Sequence, residues 1–283
     1  MRIGVKLPHT GNAVATQVAL RARALESAGF DSLWVSDHVV LPATIGSYYP
    51  FAADGRPTWP TDTPYLEAVV VLAAAAAATD RIGLGTAALV LPQRNPVLLA
   101  KQVASVDAMS GGRVALGIGA GWLREEFDAL GADFDTRGAR TVEWIGLLRD
   151  CWTGRPAAHA GHYELAADTL VLPTPAHRVP LYVGGHSPVA LRRAGELGDG
   201  WLAQQALPEL DPARLAEQIA TVTAAAAGRP RPQVVLRLVE SAGQAERIAD
   251  RLRELRAAGV DEIIVDTIDA EADHDLLRAA ADR

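Results

Sequence analysis

Eight short apolar or β-branched runs recur along this chain of 283 residues, each followed by a longer Ala-, Leu- and Arg-rich segment of helical period. Strands that alternate with helices pair in parallel, because each helix carries the chain back across the sheet before the next strand begins. The runs are residues 2–7, 32–36, 82–86, 114–118, 181–184, 201–204, 234–239 and 262–266. Eight such units predict an α/β fold of the (β/α)8 TIM-barrel kind, with residues 1–283 forming one domain. Helix starts are marked near Asn12 and Thr16, at Asn95-Pro96, at Ser187-Pro188 and at Asp211-Pro212. Proline there lacks only a donor that would stay unpaired in the first turn. Ala28-Gly29-Phe30-Asp31 and Ala258-Gly259-Val260-Asp261 are one phrase at two helix ends, with glycine where a left-handed stop is cheap.

Two stretches exceed ordinary connections and are read as insertions after strands 2 and 4. Residues 39–63 are rich in proline and glycine and carry Tyr48, Tyr49, Phe51 and Trp59. That composition suits a lid or pocket wall, and equally a packed surface loop. Residues 155–179 hold His159, His162 and His177, with a short hairpin expected around Gly161 and Asp168. No His-x-His or His-x-x-x-His spacing links these histidines, so they read as solvent-facing polar groups. Function is expected to concentrate in the two insertions.

Composition narrows the partners. A formal net charge of −7, with arginines scattered along helical stretches, argues against a nucleic-acid partner. Cys151 is the only cysteine, which excludes an internal disulfide and a multi-thiolate zinc site and fits a reducing, cytoplasmic setting. The longest apolar run, residues 69–78, is too short to span a bilayer, and the N-terminus runs into a strand pattern rather than a signal peptide. No membrane partner is expected.

In a parallel barrel the groups at the C-terminal strand ends converge on one mouth. Asp37 and His38 close the second strand, where a carboxylate and an imidazole could hold a ring nitrogen or move a proton. Asp37 could also merely cap its loop, and His38 could be a satisfied core histidine. Gly117, Gly119 and Gly121, with Ala120 and Trp122, end the fourth strand; such a turn can present N–H groups to an anion or simply need small residues. Gly184, Gly185, His186 and Ser187 lead into a helix N-terminus and form a second anion candidate. His9, Tyr49, Trp59 and Gln204 are the candidate substrate contacts.

Taken together, several motifs resemble the luciferase-like flavin- and coenzyme F420-dependent oxidoreductases. They are residues 28–38 ending in Ser36-Asp37-His38, residues 78–86 ending in Gly85-Thr86, residues 99–107, residues 110–122, residues 183–187, and Gly198-Asp199-Gly200-Trp201. The resemblance implies a barrel with an isoalloxazine or deazaflavin ring over its mouth, beside a third-strand bulge with a non-prolyl cis peptide, a place matched to Gly85 and Thr86. It implies that Asp37 and His38 approach the ring and substrate, with His38 and Asp37 the catalytic candidates. It implies too that the loops at 117–122 and 184–187 hold the cofactor. The Ser-Asp-His and Gly-Asp-Gly-Trp phrases look like the F420-using branch, so the expected cofactor is F420, with FMN the alternative. F420 would make the enzyme a hydride-transferring oxidoreductase acting on a C=C, C=N or alcohol/carbonyl substrate. FMN would make it a two-component monooxygenase fed by a separate reductase. A homodimer and a separate flavin or F420 reductase are further implications. In the sugar-phosphate dehydrogenases of the family a glutamate acid follows the fourth strand; Ala120 matches that place here, and Glu125 and Glu126 read as opening a helix. Two rivals come from other classes. A non-catalytic flavin-binding protein would keep the pocket alone, and a metal-dependent hydrolase would gather His9, His38, His186 and Asp266, though the first strand lacks a His-x-His pair.

Overall fold

The computed structural model describes residues 1–11, 16–50, 52, 54–57 and 59–282. Asn12 and Phe51 lie outside the described residues. All eight expected runs are strands: β1 (Arg2–Lys6), β2 (Ser32–Val35), β3 (Gly83–Val90), β4 (Val114–Gly119), β5 (Leu181–Gly184), β6 (Gly200–Ala206), β7 (Gln233–Val239) and β8 (Glu262–Val265). Each pairs in parallel with the next, and β8 pairs with β1, closing the barrel. The helices are α1 (Val18–Ala28), α2 (Ala68–Ala78), α3 (Pro96–Ser110), α4 (Arg124–Ala129), α5 (Arg137–Cys151), α6 (Pro188–Leu197), α7 (Pro212–Ala225), α8 (Ala245–Ala258) and α9 (Ala270–Ala281). Among the described residues no helix is long and apolar enough to cross a membrane.

Local chemistry sets these boundaries. Asn95, Ser187 and Asp211 each accept a hydrogen bond from the backbone N–H three residues on, caps worth about 1 kcal/mol apiece. Gly29 and Gly259 stop α1 and α8 in the left-handed region, at φ 98° and 102°. The aspartate two residues later then accepts from the first turn of a neighbouring strand: Asp31 from Ile3 N, and Asp261 from Val234 N, both at 2.7 Å. The repeated phrase therefore does one job twice. It stops a helix and fastens the next strand pair at the base of the barrel.

Successive strand residues face opposite sides. Ile3, Val5, Leu33, Val35, Leu84, Leu116 and Ile118 point outward into the layer shared with the helices and are buried there. The inward positions form a second cluster of Trp34, Ala87, Tyr182, Leu202, Val235 and Ile264. Trp34 fits only because β1 and β3 place glycines beside it. A Cβ on Gly85 would lie 2.4 Å from the Trp34 ring, and one on Gly4 would lie 2.8 Å from Trp34 Nε1. Beneath it the buried Glu262 accepts from Ser32 Oγ and Trp34 Nε1.

The structure alters two expectations. β3 runs on to Val90, its non-prolyl cis peptide joins Ala87 and Ala88, and its register against β4 shifts between Thr86 and Leu89. The bulge is therefore past Gly85 and Thr86, not at them. The run Ala87-Ala88-Leu89-Val90 carries no turn residue, so only pairing with β4 reveals the shift. The second correction concerns residues 155–179, which connect α5 to β5 and so lie at the base, opposite the mouth. The expected hairpin there is a lone antiparallel bridge between His159 and Leu165, with Asp168 at φ 60°.

Candidate active site

The mouth is governed by the long connection from β2 to α2, residues 36–67, whose two ends one arginine clamps together. Arg94 donates from Nη2 to Asp37 Oδ1 at 2.6 Å and from Nη1 to Glu67 Oε1 at 2.7 Å. The other Asp37 oxygen accepts from Val90 N at 2.9 Å, so this carboxylate also holds the end of β3. Its side chain is wholly enclosed. Burial pushes the Asp37 carboxyl above the ordinary aspartate range, opposed by Arg94 and the Val90 N–H. Asp37 is thus a fastening of the rim, with both oxygens engaged.

His38, one residue on, has a different fate. Its Nδ1 lies 3.1 Å from Glu126 Oε2, while Glu126 Oε1 accepts from Val39 N and Val40 N at 2.5 and 3.1 Å. A carboxylate facing Nδ1 fixes that nitrogen as the N–H donor and leaves Nε2 as the site that gains or gives a proton. Among the described residues Nε2 has no hydrogen-bond partner. The ring stands edge-on to Tyr65 and Trp122, with Trp59 at a 6.0 Å centroid distance and Tyr49 against both tryptophans. His38 and Tyr65 line a pocket of about 200 Å³ with Val39, Leu41, Thr61, Asp62 and Thr63. The Tyr65 phenol bonds Ser36 Oγ, and burial pushes it up to about 12, so it stays protonated at neutral pH.

The other two mouth histidines are committed. His9 is fully buried between two carbonyls, Nδ1 2.8 Å from Leu7 O and Nε2 3.0 Å from Ser36 O; the neutral ring donates to one of them, and both nitrogens are enclosed. Burial, reinforced by Lys6 and Arg237, lowers its pKa. His186 Nε2 accepts from Gln204 N at 3.1 Å, so its Nδ1 carries the hydrogen donated to Gln218 Oε1. It ties the loop after β5 to β6 and α7, and burial lowers its pKa as well.

Small residues form the β3 to β5 side of the rim. Ala88 and Gly119 leave it bare, since a Cβ on Gly119 would meet only Ala88 Cβ at 3.6 Å and Gly121 N at 4.0 Å, whereas one on Gly184 would press on Ile118 O at 3.1 Å. Gly185, at φ 116°, turns the chain toward Ser187, which caps α6, so the N-terminus of this ten-residue helix opens beside the floor. The remaining glycines serve packing. Gly117 admits Thr86, whose Oγ1 donates to Gly117 O, since a Cβ there would lie 2.0 Å from Thr86 O. Gly121 turns at φ 85° against Phe127 and Val90, and passes the half-buried Trp122 to the aromatic group around His38. Ala120 is half-buried beside it.

The β6 to β1 side is charged. Lys6, Gln204, Arg237 and Asp266 are the inward positions above the Trp34 cluster, with Gln204 and Arg237 in register on adjacent strands. Arg237 Nη2 donates to Asp266 Oδ1 at 3.0 Å. Tyr49 reaches across from the long connection to bond the Gln204 side chain.

Sequence reasoning therefore missed Lys6, Tyr65, Arg94, Glu126 and Arg237. A lone arginine within the apolar run Val234-Val235-Leu236-Arg237-Leu238-Val239 was a usable signal, since a buried charge needs a partner. Glu126 does open a helix, as its sequence suggests, but it also reaches back across 88 positions to His38. No group of three or more His, Cys, Asp or Glu side chains converges to hold a metal among the described residues.

The model of the luciferase-like monooxygenase family matches residues 1–239. An uncharacterized protein of Mycobacterium tuberculosis is 36% identical over 181 residues, covering 64% of this chain and 62% of that protein. An F420-dependent glucose-6-phosphate dehydrogenase of Amycolatopsis mediterranei is 33% identical over 190 residues, covering 66% of this chain and 51% of that protein. The chain thus spans less than two thirds of these relatives. Among solved structures, an F420-dependent secondary alcohol dehydrogenase in complex with an F420-acetone adduct superposes with a TM-score of 0.78 at 20% identity, covering 99% of this chain and 98% of that one. That likeness is one of fold.

Proposed function

Because this chain belongs to the luciferase-like monooxygenase family, we propose that it is an oxidoreductase that binds coenzyme F420 across the barrel mouth and transfers hydride between the deazaflavin and a small C=C, C=N or alcohol/carbonyl substrate. The observation that carries this reading is the sorting of the mouth histidines. His38 alone of the three keeps a ring nitrogen uncommitted, and Asp37 and Trp122 tie it to the ends of β3 and β4. The bare surface at Ala88 and Gly119 fits a flat ring, because a side chain at Gly119 would fill that space. The loop at Gly185, His186 and Ser187, at the start of α6, suits the phosphate through its backbone N–H groups rather than through the committed His186 ring. The F420-dependent relative at 33% identity favours the deazaflavin over FMN.

Bound F420 supplies a hydride, two electrons at once, and does not activate oxygen. His38 Nε2 holds the proton that the substrate's other atom gains on reduction, or takes it on oxidation. Glu126, accepting from Nδ1–H, keeps the tautomer and stabilises the imidazolium. Asp37 acts one step back, by fixing through Arg94 and Val90 the rim on which His38 stands. Tyr49, Trp59 and Gln204 wall the substrate space and limit water, with Trp122 closing the floor. One domain, a homodimer, a cytoplasmic location and a separate F420 reductase belong to the same reading.

The test is equilibrium binding of oxidised and reduced F420 and FMN, read by fluorescence quenching. Tight F420 binding with weak FMN binding is the expected result. The reverse order would replace hydride transfer with a two-component monooxygenase, and binding of neither would overturn the reading.

A further inference from the structure

We propose that Lys6 and Arg237 form a carboxylate subsite, so that the substrate taken at this mouth is a small organic acid carrying a single negative charge. This rests on the reading that the mouth holds the substrate, and it names the substrate class that the reading leaves open.

The two cations share the inner wall: Arg237 of β7 is level with Ile264 of β8, which is level with Gly4 of β1, and Lys6 is the next inward position along β1. Arg237 has a side chain only 9% exposed. One arm of its guanidinium is paired with Asp266, but Nη1 is buried and, among the described residues, has no hydrogen-bond partner. A buried guanidinium N–H left unpaired is costly, a penalty that a bound acceptor would remove. Arg237 stands on the wall itself, in register with Gln204 of β6 and Ile264 of β8. The Lys6 ammonium, among the described residues, has neither an ion-pair nor a hydrogen-bond partner.

The balance of charge selects the anion. Lys6 and Arg237 face one carboxylate, Asp266, leaving one positive charge uncompensated. Glu240, the next carboxylate near Tyr49, is exposed, where solvent and salt screen it. Burial and the Arg237 charge lower the Lys6 pKa, opposed by Asp266; a bound carboxylate would reverse that direction. A phosphate dianion fits poorly. Barrels commonly hold phosphate at the loops after the seventh and eighth strands. Here that rim carries Glu240, the α9 cap Asp269, and Glu271 and Asp273 in the first turn of α9. A planar carboxylate matches both the free arm of a guanidinium and a neighbouring ammonium.

The experiment is a fluorine NMR titration of the purified protein with para-fluorobenzoate, para-fluorobenzamide and para-fluorophenyl phosphate, repeated on Lys6→Met, Arg237→Gln and the basal control His177→Gln. The acid should bind about tenfold or more tighter than the amide. Lys6→Met should bring it down to the amide's affinity, and His177→Gln should change nothing. Equal binding of acid and amide, or an acid affinity untouched by Lys6→Met, would overturn the subsite, and tighter binding of the phosphate ester would overturn the single charge. Lys6 has no partner to lose among the described residues, so Lys6→Met decides the matter even if Arg237→Gln fails to fold. The titration contains no cofactor, so it reads the same whether or not F420 binds. Failure of F420 binding would strike the oxidoreductase reading alone.

Discussion

The two long connections of this barrel are built alike and placed oppositely. Each carries at least one histidine and one tyrosine, and each is pinned by a helix carboxylate that accepts from its backbone. Glu126 on α4 holds Val39 N, Val40 N and His38 Nδ1, and its neighbour Glu125 holds Gly46 N, Ser47 N and Ser47 Oγ. Glu143 on α5 holds His159 Nε2, His162 N and Tyr163 N. At the mouth the device sets a histidine among Tyr65, Trp59 and Trp122 beside a pocket; at the base it sets His159 on a surface loop. Composition does not separate the two segments. Their place within the βα unit does, because only connections that follow a strand reach the mouth.

The largest test of this contrast compares histidines. His38→Ala should lower turnover of the F420-linked reaction by about 10²–10⁴-fold with F420 affinity unchanged, whereas His177→Ala should leave turnover alone. Equal turnover in wild type and His38→Ala would end the asymmetry on the chemical side. Next comes the clamp at the roots of residues 36–67. Arg94→Met strands the enclosed Asp37 carboxylate, and denaturant melts should show a loss of about 3–5 kcal/mol. The pins themselves give a smaller and sharper comparison. Glu126→Gln should cost about 1–3 kcal/mol and also slow turnover, while Glu143→Gln should cost about 1 kcal/mol and leave turnover intact.

The smallest effect is a pH dependence. Burial, the largest single influence, raises both the Glu125 and Glu143 carboxyls, but the hydrogen bonds they accept outweigh it and leave each below the ordinary glutamate range. A carboxyl lowered on folding stabilises above its unfolded pKa and loses that contribution as pH falls through the folded one. The Tm gap between wild type and Glu143→Gln should therefore be full at neutral pH and close below the usual glutamate pKa of about 4.3. A gap that widened in acid would mean that Glu143 is not a pin.

Much of this molecule was legible from residue types alone. Strand and helix periods and the Asn95, Ser187 and Asp211 caps are local signals, and each strand begins within one residue of its pattern, although β3 runs on to Val90. Asp37 and His38 at the end of β2 were legible as candidates for the same reason, since a strand delivers its last residues to the mouth. Their division of labour was not. Asp37 is a fastening because Arg94 lies 57 positions away in sequence and 2.6 Å away in space, and His38 is poised because Glu126 reaches it across 88 positions.

By itself, then, the sequence determined the barrel, its eight repeating units and the strand ends that meet at the mouth, because period, capping and turn chemistry act within a few residues. Tertiary structure alone decided which of the three mouth histidines keeps a ring nitrogen open, where the third strand bulges, which insertion faces the mouth, and that Lys6 and Arg237 share one wall. Those outcomes depend on hydrogen-bond partners and charges that closing the barrel brings together, and no window along the chain contains both members of such a pair.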